Sequence, residues 1–154
     1  MRGAARAIAK RLHIGFEVVE VSIPQGSSPE GQARSVRYRA LLGKLREGER
    51  LVTGHTSDDQ AETVLMNVLR GTGLDGLAGI PPVRDRIIRP ILGVSRSETR
   101  ELATLLGLPW RDDPANAEDD PRRNQIRTDL IPQLEARFNP QLRRALTHLA
   151  AAAS

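Results

Sequence analysis

The chain has 154 residues, a net charge of +4 and no cysteine. Those values exclude disulfides, thiolate-bound zinc and iron–sulfur clusters built on its own side chains, and no run of about 18 apolar residues is present to span a membrane. The length suits one domain that buries a core without staples.

Residues 3–12 carry Ala4, Ala5, Ile8 and Leu12 at helical spacing, basic and amphipathic but without the apolar stretch of a secretory signal, so a cytoplasmic protein is expected. Phe16, Val18, Val19, Val21 and Ile23 then read as a β-branched strand over 16–23. Ser28-Pro29 opens a helix to about residue 46, with proline at its first position and Gly48 beyond its end. Leu51-Val52-Thr53 is a second strand, left through Gly54-His55. A helix follows from Ser57 to Arg70, with Ser57-x-x-Gln60 as its capping box and Ala61, Val64, Leu65 and Val68 on one face. Residues 70–79 form a glycine-rich loop. A third strand is expected over 87–92, with Pro90 as its point of interruption. Ser95-x-x-Glu98 is a second capping box, opening a helix to Leu106. After a polar, irregular stretch at 114–121, a helix over 124–138 is expected to kink or restart around Pro132. Asn139-Pro140 caps the last helix. This alternation implies an α/β fold, a parallel sheet under covering helices with a helical tail after about residue 122.

Three segments carry candidate chemistry. In the first, residues 53–63, a strand end meets a helix start, where parallel-sheet proteins place ligands. Asp58 and Glu62, four apart, flank the apolar stripe and are expected at the rim of a groove, able to meet Mg²⁺ or orient a nucleophile. Asp59 reads instead as a capping acid that complements the helix dipole. The second segment, Arg70-Gly-Thr-Gly-Leu-Asp-Gly-Leu, is either a backbone nest for an anion or a helix C-cap at Gly71 followed by an ordinary turn. In the third, Arg123 and Arg127 share a helical face, suited to clamping phosphate or to lying solvated. The acidic residues Asp112, Asp113, Glu118, Asp119 and Asp120 precede them as possible partners. Arginine dominates the positive charge, with only Lys10 and Lys44 as lysines, which suits nucleic acid.

Together Gly54-His-x-x-Asp-Asp-Gln-Ala-Glu-Thr63, Arg70-Gly-x-Gly-Leu-x-Gly-Leu77, Arg89-Pro90, Asp113-x-x-Asn116 and Arg123-Asn-x-Ile-Arg127 resemble the tRNA(Ile)-lysidine synthetase family, and Ala33-Arg-x-x-Arg-Tyr38 resembles the helix upstream. Coverage is nearly the whole chain. The resemblance implies a three-layer α/β fold with a parallel sheet of the N-type ATP pyrophosphatase, or PP-loop, type. Residues 1–110 would form a partial pyrophosphatase domain and 111–154 its helical extension. It implies a ligase that uses ATP and Mg²⁺ to adenylate C2 of the wobble cytidine of a tRNA(Ile) with a CAU anticodon. Free lysine then displaces AMP to give lysidine. By motif match, Gly54, His55, Asp59 and Glu62 fall at the nucleotide, and Asp58 at the nucleotide and Mg²⁺. Arg123 and Arg127 fall at the reaction centre, and Arg70, Gly71, Gly73, Gly76, Asn116 and Asn124 near the tRNA.

The sequence departs from the family pattern in three ways. The phosphate-cradling Ser-Gly-Gly-x-Asp-Ser loop is absent, Ala115 replaces a usual serine, and Pro121 a common aromatic. The expectation is a truncated or mis-started chain, inactive by itself. Two other readings stand beside it: a non-catalytic tRNA- or nucleotide-binding remnant, and another PP-loop ATPase such as a tRNA thiolation enzyme, against which the lack of cysteine argues. His55, Asp58, Arg70, Arg123 and Arg127 are expected to converge near the C-terminal ends of the strands.

Overall fold

In the computed structural model, which describes residues 2–22, 29–110 and 121–154, one helix organises the packing. The chain order is α1 (Arg2–Arg11), α2 (Pro29–Leu42), β1 (Leu51–Val52), α3 (Ser57–Leu69), α4 (Leu74–Leu77), β2 (Val83–Arg84), β3 (Ile87–Ile88) and α5 (Arg96–Leu105). A continuous helical stretch then comprises α6 (Pro121–Gln125), a π-helical segment (Ile126–Leu130) and α7 (Ile131–Arg137), and α8 (Leu142–Ala152) follows. Helix α3 presents Ala61, Val64 and Leu65 to Ile126, Ile131, Leu146 and Ala150, and these seven residues form the core cluster. Fully burying a Val, Ile or Leu side chain stabilises by about 1.5–3 kcal/mol. The helical tail is therefore what covers α3.

The sheet among the described residues has three short strands in the order β1-β3-β2. β1 and β3 are parallel, with Leu51 opposite Ile87 and Val52 opposite Ile88, as expected. β2 and β3 are antiparallel, joined through Asp85 in the left-handed region at φ 55, so the sheet is mixed rather than purely parallel. The hairpin escaped the sequence reading because two-residue strands are too short to show alternation and Pro81-Pro82 reads as loop. The expected strand at 16–23 forms no ladder over its described part, residues 16–22. Its side-chain pattern is strand-like, but a pattern supplies no hydrogen-bonding neighbour, and Phe16, Val18 and Val21 stand exposed.

Helix boundaries moved for local reasons. The cap of α3 is Thr56, not Ser57: Asp59 Oδ2 accepts from both the Thr56 N–H and hydroxyl, each at 2.8 Å. The second capping box formed as expected, with Ser95 N–H donating to Glu98 Oε2 at 2.7 Å and Glu98 N–H to Ser95 Oγ at 3.2 Å. Helix α2 ends at Leu42, earlier than expected. The distortion around Pro132 is a π-helical segment: Ile131 N–H reaches Ile126 O, one residue further back than an α-helix would. Proline lacks the amide its turn would have used, and the looser winding accommodates it. Asn139 Oδ1 accepts from Gln141 N–H at 2.9 Å and leads into α8. No helix among the described residues is long and apolar enough to cross a membrane.

Candidate functional site

β1 delivers the chain to the site. Thr53 N–H donates to Ile88 O at 3.0 Å, extending the ladder by one residue. Gly54 follows, and then His55, whose Nδ1 lies 2.9 Å from Thr53 Oγ1. Burial lowers the His55 pKa below its ordinary 6.5, and Arg34, Arg89 and Arg123 lower it further against the opposing charge of Asp59. The imidazole is accordingly neutral at pH 7, a hydrogen-bonding group rather than a cation.

Helix α3 brings three carboxylates, each held differently. Glu62 is buried to 1% exposure, so it lies beneath the site rather than at a groove rim as its helical position suggested. Its Oε1 accepts from Arg127 Nε at 2.8 Å. Its Oε2 accepts from Arg123 Nε at 2.8 Å and Arg127 Nη2 at 3.2 Å. Arg96 Nη2 stands 3.6 Å from Oε1. Isolated, such a buried carboxylate would be costly, and it persists because the charge-assisted bonds are in place. Asp59 adds the cap described above and an ion pair to Arg123 at 3.2 Å. Burial pushes the Asp59 pKa up, but the two Thr56 hydrogen bonds, Arg123 and Arg96 outweigh it, and the net shift is downward. Asp58 Oδ2 accepts the Arg96 N–H at 2.8 Å, and Oδ1 lies 3.3 Å from Arg143 Nε, so Asp58 ties α3 to the start of α5 and to α8.

The arginines therefore find their partners in α3. The acidic stretch at 112–120, the other candidate partner, and Asn116 lie outside the described residues. Arg127 is raised above the ordinary arginine range by its Glu62 hydrogen bond, with burial opposing and the charges of Glu62, Asp59 and Asp58 adding. Asn124 lies half-buried on the same helical stretch and accepts the Thr128 hydroxyl at its carbonyl, 3.0 Å away.

Arg70 is not gathered here. It caps the far end of α3, about 18 Å from Asp58 at 1.5 Å rise per residue. Gly71, at φ 76, terminates the helix in the left-handed conformation. Gly73 precedes the four-residue α4. A Cβ on Gly76 would fall 1.8 Å from Thr72 Oγ1, and Asn67 Nδ2 donates to the Gly76 carbonyl at 2.8 Å. Gly71 thus serves the C-cap and Gly76 a close approach to Thr72, while Gly73 has open space around it.

Sequence reading missed Arg96 and Arg143 outright and named Gln60 and Arg89 without the roles they take. Gln60 does not cap its helix: its Oε1 accepts from Ile80 N–H at 2.6 Å, and its Nε2 donates to Ala78 and Ile80 carbonyls at 3.1 and 3.2 Å. Arg96 and Arg143 bind the α3 carboxylates. Arg89 is buried, its Nη1 donating to Pro81 O at 2.6 Å and its Nε without a hydrogen-bond partner among the described residues. The one available signal was Ser95-x-x-Glu98, which places Arg96 in the first turn of α5, where its N–H is unsatisfied within the helix.

No group of three or more His, Asp or Glu able to hold a metal occurs among the described residues. Both Asp58 oxygens face donors, one of them a guanidinium, an arrangement that does not fit a Mg²⁺ ligand.

Residues 3–134 match the PP-loop domain family. A tRNA(Ile)-lysidine synthase from Pseudomonas syringae pv. tomato is 42% identical over 133 residues, 84% of this chain and 30% of that relative. One from Solibacter usitatus is 42% identical over 146 residues, 93% of this chain and 33% of the relative. One from Thermosynechococcus vestitus is 38% identical over 149 residues, 93% and 43% respectively. The chain thus spans about a third of the length of the curated relatives it matches. A solved structure, the U34-tRNA thiolase NcsA from Methanococcus maripaludis with its [4Fe-4S] cluster, superposes with a TM-score of 0.66. It covers 97% of this chain and 54% of that one, at 18% identity, a likeness of fold alone.

Proposed function

Because this chain belongs to the PP-loop family, we propose that it is the nucleotide- and base-handling part of a tRNA(Ile)-lysidine synthase, with residues 1–110 the partial pyrophosphatase domain and 111–154 its helical extension. The observation that carries the reading is the Glu62-held pair of guanidiniums, Arg123 and Arg127, packed beside the exit of β1. In the proposed reaction the C2 carbonyl oxygen of the wobble cytidine attacks the α-phosphorus of ATP and pyrophosphate leaves. The ε-amine of free lysine then adds at C2, AMP departs with the oxygen, and the amine loses its proton to give lysidine.

Arg123 and Arg127 suit the phosphate charge of the adenylated base. Their Nε atoms point inward to Glu62, so each guanidinium is oriented before substrate arrives, and preorganised donors lose less on binding. Neutral His55 offers the nucleotide a hydrogen bond without adding a further charge. Asn124 and, at the far end of α3, Arg70 with Gly71, Gly73 and Gly76 are the proposed tRNA contacts. Gly54, His55 and Asp59 are the proposed nucleotide side. Mg²⁺ would enter with the triphosphate, whose oxygens suit its octahedral demand. Asp58 is assigned to holding helices together, not to the ion. A reaction on tRNA suits a cytoplasmic protein. The thiolation alternative is disfavoured because the 154 residues contain no thiolate for a cluster.

The test is a chimera in which residues 3–134 replace the matching segment of the Pseudomonas syringae relative. Mass spectrometry of the tRNA(Ile) product should find lysidine, and none with Arg127→Ala. A folded chimera that exchanges pyrophosphate with ATP yet never modifies the tRNA would refute the assignment.

A further inference from the structure

Two turns beyond Glu62, the helices that bury it enclose a second opening of about 470 Å³. Met66, Leu69 and Leu130 give its lining an apolar part, and Arg70 and Arg122 a cationic one. Both arginines are exposed, and among the described residues neither side chain enters an ion pair or hydrogen bond. Leu69 is 61% exposed, an apolar cost that isolated surface leucines share but that here coincides with a concavity. Gln125 and Asp129 complete the wall, Asp129 accepting the Thr128 hydroxyl at 2.7 Å.

The combination selects its occupant. Two guanidiniums with no ion pair among the described residues call for an anion, yet an inorganic anion gains nothing from a leucine and methionine lining. An apolar helix from a partner would cover the apolar part of the lining and leave the cations idle. A nucleotide answers both demands, with a flat apolar face and a phosphate on one molecule, and unstacked bases are what proteins read in single-stranded RNA. The volume lies in the range of small-molecule pockets. Asp129 and Gln125 offer an acceptor and an amide for the base edge, and the Asp129 charge turns the phosphate toward Arg70 and Arg122. The wall is the π-helical segment Ile126–Leu130, which also carries Arg127. Opening and guanidinium pair therefore lie along one ridge: on α3 the lining starts at Met66, about 6 Å from Glu62, and ends at Arg70, about 12 Å from it, at 1.5 Å per helical residue.

We propose that this groove holds an unpaired nucleotide of the RNA substrate, its base on Met66, Leu69 and Leu130 and its phosphate between Arg70 and Arg122. The inference rests on the RNA-modifying reading and adds to it a separate subsite away from the reacting base.

The experiment measures binding of a labelled RNA hairpin with CAU in its loop to the 154-residue chain by fluorescence anisotropy across a salt series. A fully duplexed form of the same sequence is measured alongside, and circular dichroism verifies folding of every variant. Arg70→Ala and Arg122→Ala should each weaken hairpin binding about tenfold and flatten the salt slope by about 0.7 per lost phosphate contact. Leu69→Ser should weaken binding with the slope unchanged, since it removes stacking area and no charge. Duplex binding should change less in all three. If the hairpin binds the unsubstituted chain but the three variants keep its affinity and slope, the groove assignment is overturned and the RNA-modifying reading survives. If neither RNA binds even at low salt, both fall. If Leu69→Ser instead shifts a monomer–dimer equilibrium and spares RNA binding, the occupant is a second copy and the proposal is wrong.

Discussion

Helix α3 with the helical tail, and the first fifty residues with their extended segment, obey different rules. The former concentrates the burial: Ala61, Val64 and Ile131 are wholly inaccessible, and Glu62 nearly so. In the latter, among the described residues, Ala9 is the buried hydrophobic, while Leu12, Ile14, Phe16, Val18 and Val21 are exposed. Among the contacts of the extended segment are an ion pair between the exposed side chains of Glu17 and Lys44 and a cation–π contact from Arg6 to Phe16. Apolar composition is similar in both regions, so composition does not make a core; a facing element does. The candidate site sits on the first region, where a rigid scaffold holds its guanidiniums.

The contrast breaks most visibly at Ile131. It is large, at 0% exposure, and lies between α3 and α8. Ile131→Ala should cost about 2–5 kcal/mol, the usual range for a buried large-to-small change that leaves a cavity. Urea unfolding followed by circular dichroism measures it. A loss well below 1 kcal/mol would mean that α3 and the tail do not share a core.

Next in size is Glu62→Gln, which keeps the shape and removes the charge. Two inward-facing Nε–H groups would then share one neutral amide. Removing one member of a fully buried pair costs about 3–5 kcal/mol. The arginine side chains here are 21% and 27% exposed and regain some water, so about 2 kcal/mol is expected after that discount. Arg127→Gln should cost less, because Arg123 still serves Glu62. Equal losses for the two variants would show that Glu62 is not the shared anchor.

What the sequence made legible follows the range of each interaction. The Ser95–Glu98 box spans three residues and formed as expected, and so did the parallel pairing of β1 with β3. Local signals misled where two candidates lay side by side: Thr56 rather than Ser57 took the cap, leaving Gln60 to hold residues 78–80. The strand expected at 16–23 failed because alternation specifies a face and not a neighbour. Glu62 was placed at a rim since a helical wheel knows nothing of Arg123 and Arg127, which arrive from sixty residues further along. Their pairing depends on Ile126 and Ile131 docking on α3, a tertiary event no window contains.

A smaller effect should come from pH, through His55. Its pKa is lowered in the folded state from 6.5, mainly by burial and then by the three arginines. Below about pH 6.5 the unfolded chain therefore binds a proton that the folded chain refuses, and stability falls as pH falls toward the lowered value. Above 6.5 the contribution is fully present and flat. Asp59, also lowered, acts in the same direction but only below its ordinary 3.8. Between about pH 7 and 5, within the histidine range, Tm should drop for the chain and drop less for His55→Gln. Identical slopes would place His55 in water rather than among arginines.

The smallest effect sharpens the comparison from the other side. Val18 is 38% exposed in a stretch with no ladder partner among the described residues. If burial against a facing element is what turns apolar residues into stability, Val18→Ser should change the unfolding free energy of the 154-residue chain by no more than about 0.5 kcal/mol, the usual span for a surface substitution. Serine also carries a lower strand propensity, so a segment that paired in solution would respond through that route as well. Thermal unfolding of Val18→Ser beside Ile131→Ala, under one buffer, measures both ends of the scale. A loss near 2 kcal/mol at Val18 would mean that residues 16–22 pack in solution as the strand their alternation suggests, and that the first region has a core of its own.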